Sequence, residues 1–220
     1  MSATQAFLQE HGLTALGTAF GSPIVVKQHP TLPSLYLFKY KQSAGNHFRH
    51  QVMREVRGLV LDRSQAWKPV AFPYEKFFNY GEKFAPAAEA LDWSSARVCE
   101  KADGSLCCLF FYEGQWRLST TGQPDAGESQ KGVTFYSTFW RVWEELGLDQ
   151  PREEDQHICF MFELMSITNP IVVRMEEAGH GEIVWLHGAR DMRTLRELPP
   201  SSVSRCFYAL FNRLTPFLSF

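Results

Sequence analysis

The chain has 220 residues, of which 45% are hydrophobic and 14% aromatic, so it can bury one sizeable core as a single domain. This composition disfavours a disordered or fibrous protein. The formal net charge of -2 argues against a uniformly basic coat for nucleic acid, although it leaves room for a local basic stripe.

The first third of the chain predicts one short helix followed by strands. ATQAFLQEHG predicts a helix that ends at Gly12, and the apolar runs that follow are separated by prolines. The segment at 69–82, PVAFPYEKFFNYGE, holds two prolines and central aromatics, which suit an extended edge segment better than a helix. The predicted strands before it are IVV at 24–26, LYLFKY at 35–40 and RGLVLDR at 57–63.

The remainder predicts a hairpin, a helix and further strands. SLCCLFFY and QWRLSTT flank Glu113-Gly114, where glycine can supply a positive φ. Aromatic and apolar residues at helical spacing predict a helix over 131–147. Helices and strands alternate without a regular βαβ pattern, so the sequence predicts an α+β fold built on antiparallel sheet. The later predicted strands are 158–165, 171–173 and 182–190.

One basic stripe lies at residues 39–57. Taken alone, a solvated helix face is the favoured interpretation. Its cationic or titratable residues, set against the single acid Glu55, are Lys39, Lys41, His47, Arg49, His50, Arg54 and Arg57.

The cysteines and the hydropathy pattern predict an intracellular, cytoplasmic protein. The five cysteines show no CxxC spacing, which indicates a reducing compartment and no zinc site. The start has no basic region followed by an apolar block, and no segment approaches the roughly 20 apolar residues that a bilayer span requires. We therefore expect a soluble protein without a membrane partner.

A single lysine, Lys101, precedes an Asp-Gly-Ser turn in KADGS. A lysine amine attacks only when neutral, and it needs a backbone that lets an electrophile approach. Gly104 would allow that approach, and Asp103 and Ser105 could orient a sugar or phosphate. The motif is short and has many chance matches, so an exposed hairpin lysine stays open as the alternative.

The lysine motif and two further motifs follow one another in the order found in a known family. Lys-x-Asp-Gly-Ser resembles the first motif of the covalent nucleotidyltransferases, which form a lysyl-nucleotide intermediate. REVRGLVLDR and PYEKFFNYGE resemble the Arg-Gly strand and Lys-Phe-Phe-Asn segment of the RNA ligase family typified by the phage T4 tRNA-repair ligase. FMFELMSITNPIVV is similar to the third motif of that family. The resemblance implies the sheet-rich nucleotidyltransferase (adenylation-domain) fold over residues 1–198, with an atypical tail at 199–220.

The resemblance also implies roles for individual residues. Lys101 would attack the α-phosphate of ATP, and Glu163 would bind the nucleotide sugar or hold a divalent cation. On composition alone Glu163 could face solvent, although apolar residues alternating around it indicate burial, and Phe78 could be a core aromatic. The resemblance implies a nucleotide-binding set made of Arg57, Phe78, Asp103, Gly104, Gly122 and Glu163.

The sequence departs from the family at three points. Thr121 stands where the family carries a lysine before Gly122. The family's acid-Gly strand and Lys-x-Lys strand have no match after Glu163, because Lys131 is the last lysine. The fold is therefore expected to be C-terminally incomplete in this chain, with weak or undetectable formation of lysyl-AMP and no strand sealing by these 220 residues.

Three functions compete at this point. The first is an ATP-dependent RNA ligase that uses Mg²⁺, or Mn²⁺ as a substitute, to join RNA 5′-phosphate and 3′-hydroxyl ends, with tRNA as one candidate substrate. The second is a catalytically incomplete relative that binds nucleotide or RNA ends in a regulatory role. The third is a capping-type guanylyltransferase, which shares the lysine motif but not the Lys-Phe-Phe-Asn segment. Nothing in the sequence predicts the oligomeric state.

Overall fold

The computed structural model describes residues 1–20, 23–94, 96, 101–127, 132–167 and 181–203. Two sequence predictions lie outside these ranges: the strand at 171–173 and the tail beyond residue 203. No helix within the described ranges has the length and apolar character that crossing a membrane would need.

The first half of the chain forms an antiparallel sheet, here called the N-terminal sheet. Its strands follow the order β1-β2-β3-β4, with each strand paired to the next along the chain. The edge strand contains Pro69, which confirms the extended edge predicted there. The strands are β1 Ile24–Gln28, β2 Leu35–Tyr40, β3 Arg57–Asp62 and β4 Lys68–Ala71.

The second half forms the C-terminal sheet, which is also antiparallel and has the order β6-β5-β7-β8-β9. The predicted hairpin is confirmed: Glu113 and Gly114 form its two-residue turn, with φ values of +47° and +75°. The strands are β5 Ser105–Tyr112, β6 Gln115–Thr120, β7 Ile158–Met165, β8 Ile183–Asp191 and β9 Arg196–Leu198. β9 was not predicted.

The two sheets pack face to face. Leu35, Leu37 and Val60 of the N-terminal sheet meet Phe110 and Met161 of the C-terminal sheet in one buried cluster. Helices cover the outer faces of both sheets, so the molecule has a layered α+β arrangement, as the sequence predicts.

The helices differ in part from the prediction. α1 ends at Gly12 as expected, whereas α2 and α3 were not predicted. α4 is shorter than the predicted 131–147, because Thr134 caps its start by accepting a hydrogen bond from the Ser137 amide. Its Phe139, Val142 and Trp143 are buried, as their spacing predicts. The helices are α1 Ala3–His11, α2 Ala15–Phe20, α3 Gln51–Glu55, α4 Phe135–Glu145 and α5 Pro200–Val203.

The basic stripe does not form one solvated face. Residues 42–49 form 3₁₀ turns interrupted at Gly45, and α3 follows. Arg54 donates from Nε to the Phe48 carbonyl at 2.7 Å, while Lys39 and Arg57 lie on neighbouring strands. The stripe therefore divides between a helical region and the inner face of a sheet.

Three of the five cysteines are described, and they are buried free thiols. Burial raises the pKa of the Cys107 thiol far above its usual value, and the nearby Glu163 carboxylate raises it further. Cys107 is therefore an apolar packing residue and not a nucleophile.

Glu55 fixes the start of α1 to the end of α3. Its buried carboxylate accepts hydrogen bonds from the Ala3 amide at 2.8 Å, and from the Thr4 amide and hydroxyl at 2.7 Å. We expect Glu55→Ala to lower the free energy of unfolding by about 2–3 kcal/mol, because these donors lose a charged acceptor. Urea unfolding measures this, with Glu89→Ala at an exposed position as the control. Equal stability of the two variants would contradict the assignment.

Candidate active site

A cavity of about 970 Å³ opens where the inner faces of the two sheets diverge. Its volume lies in the range of small-molecule sites. Residues from distant parts of the sequence meet in it, including Arg57 from β3, Lys101 ahead of β5 and Glu163 from β7. Asp103, Gly104 and Gly122 also line it, so the cavity brings together all the predicted site residues except Phe78.

Lys101 lies exposed at the cavity, in the extended segment that leads into β5. Gly104 follows, and its position is sterically determined: a Cβ there would collide with the Leu164 carbonyl oxygen. Only glycine lets the start of β5 approach β7 this closely. The Asp-Gly-Ser sequence therefore positions Lys101 beside β7.

Glu163, the acid predicted to bind the nucleotide sugar or hold a divalent cation, is partly buried. Its Oε1 accepts a hydrogen bond from the Gly104 amide at 3.1 Å, which links β7 to the lysine motif. Burial raises the pKa of this carboxyl, while the Gly104 amide, Lys101 and Arg57 oppose the rise. The side chain thus faces the cavity cations and not bulk solvent.

Asp103 and Glu163 together form the carboxylate side of the cavity. Asp103 raises the pKa of Glu163 through like-charge repulsion, so the two groups lie near each other. Within the described ranges, no three His, Cys, Asp or Glu side chains are grouped to hold a metal ion on their own. Mg²⁺ usually binds one or two carboxylates together with substrate phosphates and water, and this pair suits that mode.

Arg57 reaches the cavity because of a β-bulge. The pairing of β2 with β3 shifts at this point, so Lys39 pairs with Arg57 and Phe38 with Leu59, leaving Gly58 as the extra residue. Gly58 has a φ of +94°, and a Cβ there would stand 2.8 Å from Thr121 Cα. The Arg57 guanidinium lies 4.9 Å from the centre of the Phe77 ring. Its Nη1 is buried and has no hydrogen-bond partner among the described residues.

Of the two adjacent phenylalanines, Phe77 lines the cavity, whereas the sequence had indicated Phe78. Phe78 packs into the outer core, in edge contact with Phe48 and near Phe84. Phe77 lines the cavity and keeps 53% of its surface exposed. Neighbouring residues of an extended segment point to opposite sides, and the sequence cannot show which side faces the site.

Gly122 lies at the cavity beside a lysine from another strand. A Cβ at this glycine would stand 3.4 Å from Lys39 Nζ. The preceding Thr121 also lines the cavity, as do Lys27 and Lys41. Lys39 and Lys41 belong to the basic stripe and were not among the predicted nucleotide-binding residues.

Two further residues at the cavity were not predicted, Tyr74 and His187. The Tyr74 hydroxyl donates to the His187 carbonyl oxygen at 2.9 Å, and it would collide with any side chain at Gly188. Burial lowers the pKa of His187, and the cations Arg57 and Lys101 lower it further. A neutral imidazole therefore lies at this end of the cavity, and no short motif in the sequence marks it.

The known proteins that this chain resembles are described as RNA ligases. A family model described as RNA ligase matches residues 55–212. An RNA ligase from Rhodothermus phage RM378 is 27% identical over 176 residues, and the match covers 65% of this chain and 39% of that protein. A putative bifunctional polynucleotide kinase/RNA ligase from Autographa californica nuclear polyhedrosis virus is 30% identical over 176 residues, covering 72% of this chain and 24% of that protein. The chain thus spans less than half the length of either relative.

Proposed function

Because this chain belongs to the RNA ligase family, we propose that its cavity is the adenylylation site of an ATP-dependent RNA ligase. In this proposal Lys101 forms a covalent bond to AMP, and the layered sheets are the adenylation-domain fold of the covalent nucleotidyltransferases. For sealing, the AMP would pass from Lys101 to an RNA 5′-phosphate, and a 3′-hydroxyl would then attack that phosphate and displace AMP, which joins the two strand ends.

One observation carries the proposal: side chains from three separate motifs converge on one cavity. Arg57, Lys101 and Glu163 come from three different strands or strand ends, yet all line the same space. A chance Lys-x-Asp-Gly-Ser match on an exposed hairpin would not bring the other two motifs to it. The alternative of an ordinary surface lysine is therefore disfavoured.

The proposed reaction is attack by the neutral Lys101 amine on the α-phosphorus of ATP. The N–P bond forms, the bond to the pyrophosphate oxygen breaks, and the amine proton leaves to solvent. Asp103 and Glu163 would hold a divalent cation, which supplies charge neutralisation to the phosphates when bound. Arg57, which lines the cavity, would meet developing charge on the phosphate oxygens. Gly104 would keep Lys101 close to β7, because it has no Cβ to collide with the Leu164 carbonyl group.

The experiment is to incubate the protein with α-labelled ATP and Mg²⁺, denature it, and map any acid-labile label to a peptide. We expect one adenylate on the peptide that contains Lys101, with none when the divalent ion is chelated. Label from GTP and not from ATP would favour a capping-type guanylyltransferase. Nucleotide binding without any label would favour the regulatory alternative and contradict the proposal.

A further inference from the structure

The cavity wall formed by the N-terminal sheet is strongly cationic. Lys27 and Lys39 lie on the inner face of β1 and β2, and Lys41 follows directly after β2. Within the described ranges, the two carboxylates of the cavity are Glu163 on β7 and Asp103 just before β5, both on the side of the C-terminal sheet. The two walls therefore differ in charge, and one of them suits an anion.

The strongest feature of this wall is a pair of like charges. Lys39 and Arg57 are direct partners across the bulge between β2 and β3. Like charges placed opposite each other on adjacent strands are destabilising. Neither residue forms an ion pair with a carboxylate in the part of the chain that the structure describes. An anion bound between them would relieve the repulsion.

Lys39 also lies beside the turn that follows β6. Its Nζ is 3.4 Å from the position that a Cβ of Gly122 would take, so the ammonium group is close to the backbone of this turn. The same turn contacts β3, since Gly58 packs against Thr121. Lys39, Arg57 and the Thr121-Gly122 backbone thus surround one small part of the cavity.

We propose that Lys39 binds the β- and γ-phosphates of the nucleotide opposite Arg57, and supplies the cation that position 121 lacks. The ligand class is a polyphosphate anion. This inference rests on the proposed adenylylation function, but the binding that it predicts does not require any chemistry at Lys101. A cation at this place orients the leaving pyrophosphate while Lys101 attacks the α-phosphate.

The test measures binding of inorganic tripolyphosphate to the full chain by calorimetry, without nucleotide. We expect Lys39→Met to weaken this binding about tenfold, as the loss of one charge-assisted contact implies, and to leave AMP binding unchanged. Lys68→Met is the matched control, because Lys68 is an exposed lysine of the same sheet outside the cavity. The melting temperature of Lys39→Met should not fall, since the change removes a repulsion.

A second variant tests whether a lysine at position 121 can replace Lys39. Adding Thr121→Lys to Lys39→Met should restore tripolyphosphate binding, because the new ammonium group enters the same part of the cavity. Unchanged tripolyphosphate affinity in Lys39→Met would overturn the proposal. So would weaker binding of a 5′-phosphorylated oligoribonucleotide with tripolyphosphate binding intact, which would assign Lys39 to RNA. Absence of lysyl-AMP in the unaltered protein would refute the adenylylation function but leave this binding result standing.

Discussion

Lys101→Arg should abolish transfer of AMP to the protein. Arginine keeps the positive charge but stays protonated at any accessible pH, so it offers no lone pair for attack on phosphorus. We expect covalent labelling from α-labelled ATP to fall below detection, a loss of at least about 10³-fold. Lys101 is exposed, so the variant should keep its unfolding midpoint.

The control for this experiment is Lys68→Arg, which makes the same chemical change on β4, outside the cavity. It should be labelled like the unaltered protein. Retained binding of ATP by Lys101→Arg would show that the lost step is chemical and that the cavity is intact. Label on a different lysine in this variant would contradict the assignment of Lys101 as the nucleophile.

The strands and the main helix were predictable because their patterns are local. Alternating or continuous apolar runs bounded by prolines and glycines marked most of the strands of both sheets, and α4 followed from its buried aromatic spacing. The lysine, Arg-Gly and aromatic-acid motifs likewise predicted that Lys101, Arg57 and Glu163 lie together, and all three line one cavity. These features depend on short stretches of sequence, and the structure changed their boundaries by only a few residues.

The features that were not predictable depend on register and packing between distant strands. Arg57 and Lys39 become cross-strand partners only because Gly58 forms a bulge. No local sequence pattern predicts a bulge at that glycine. Phe77 and Phe78 are adjacent residues of the same type, and the sequence does not show which of them faces the site. In the structure, the orientation of this extended segment places Phe77 at the cavity. His187 lies in an apolar strand, where a histidine most often serves packing alone.

Glu163→Gln should separate catalytic function from stability. The glutamine can still accept the hydrogen bond from the Gly104 amide, so the link between β5 and β7 survives. It loses the negative charge that would hold a divalent cation or orient the ribose. We expect lysyl-AMP formation to fall by about 10²-fold. The free energy of unfolding, measured without nucleotide, should stay the same or increase.

The stability difference between the unaltered protein and Glu163→Gln should depend on pH. Burial raises the pKa of Glu163 above its ordinary value of 4.5, so the folded state keeps its proton to a higher pH than the unfolded state does. The unaltered protein should therefore lose stability relative to Glu163→Gln as the pH rises from about 4.5 through the raised pKa. Denaturant unfolding of both proteins across this range, beside the exposed control Glu89→Gln, measures the difference. Labelling of Glu163→Gln at the unaltered rate, at any pH, would reduce Glu163 to a structural acceptor for the Gly104 amide.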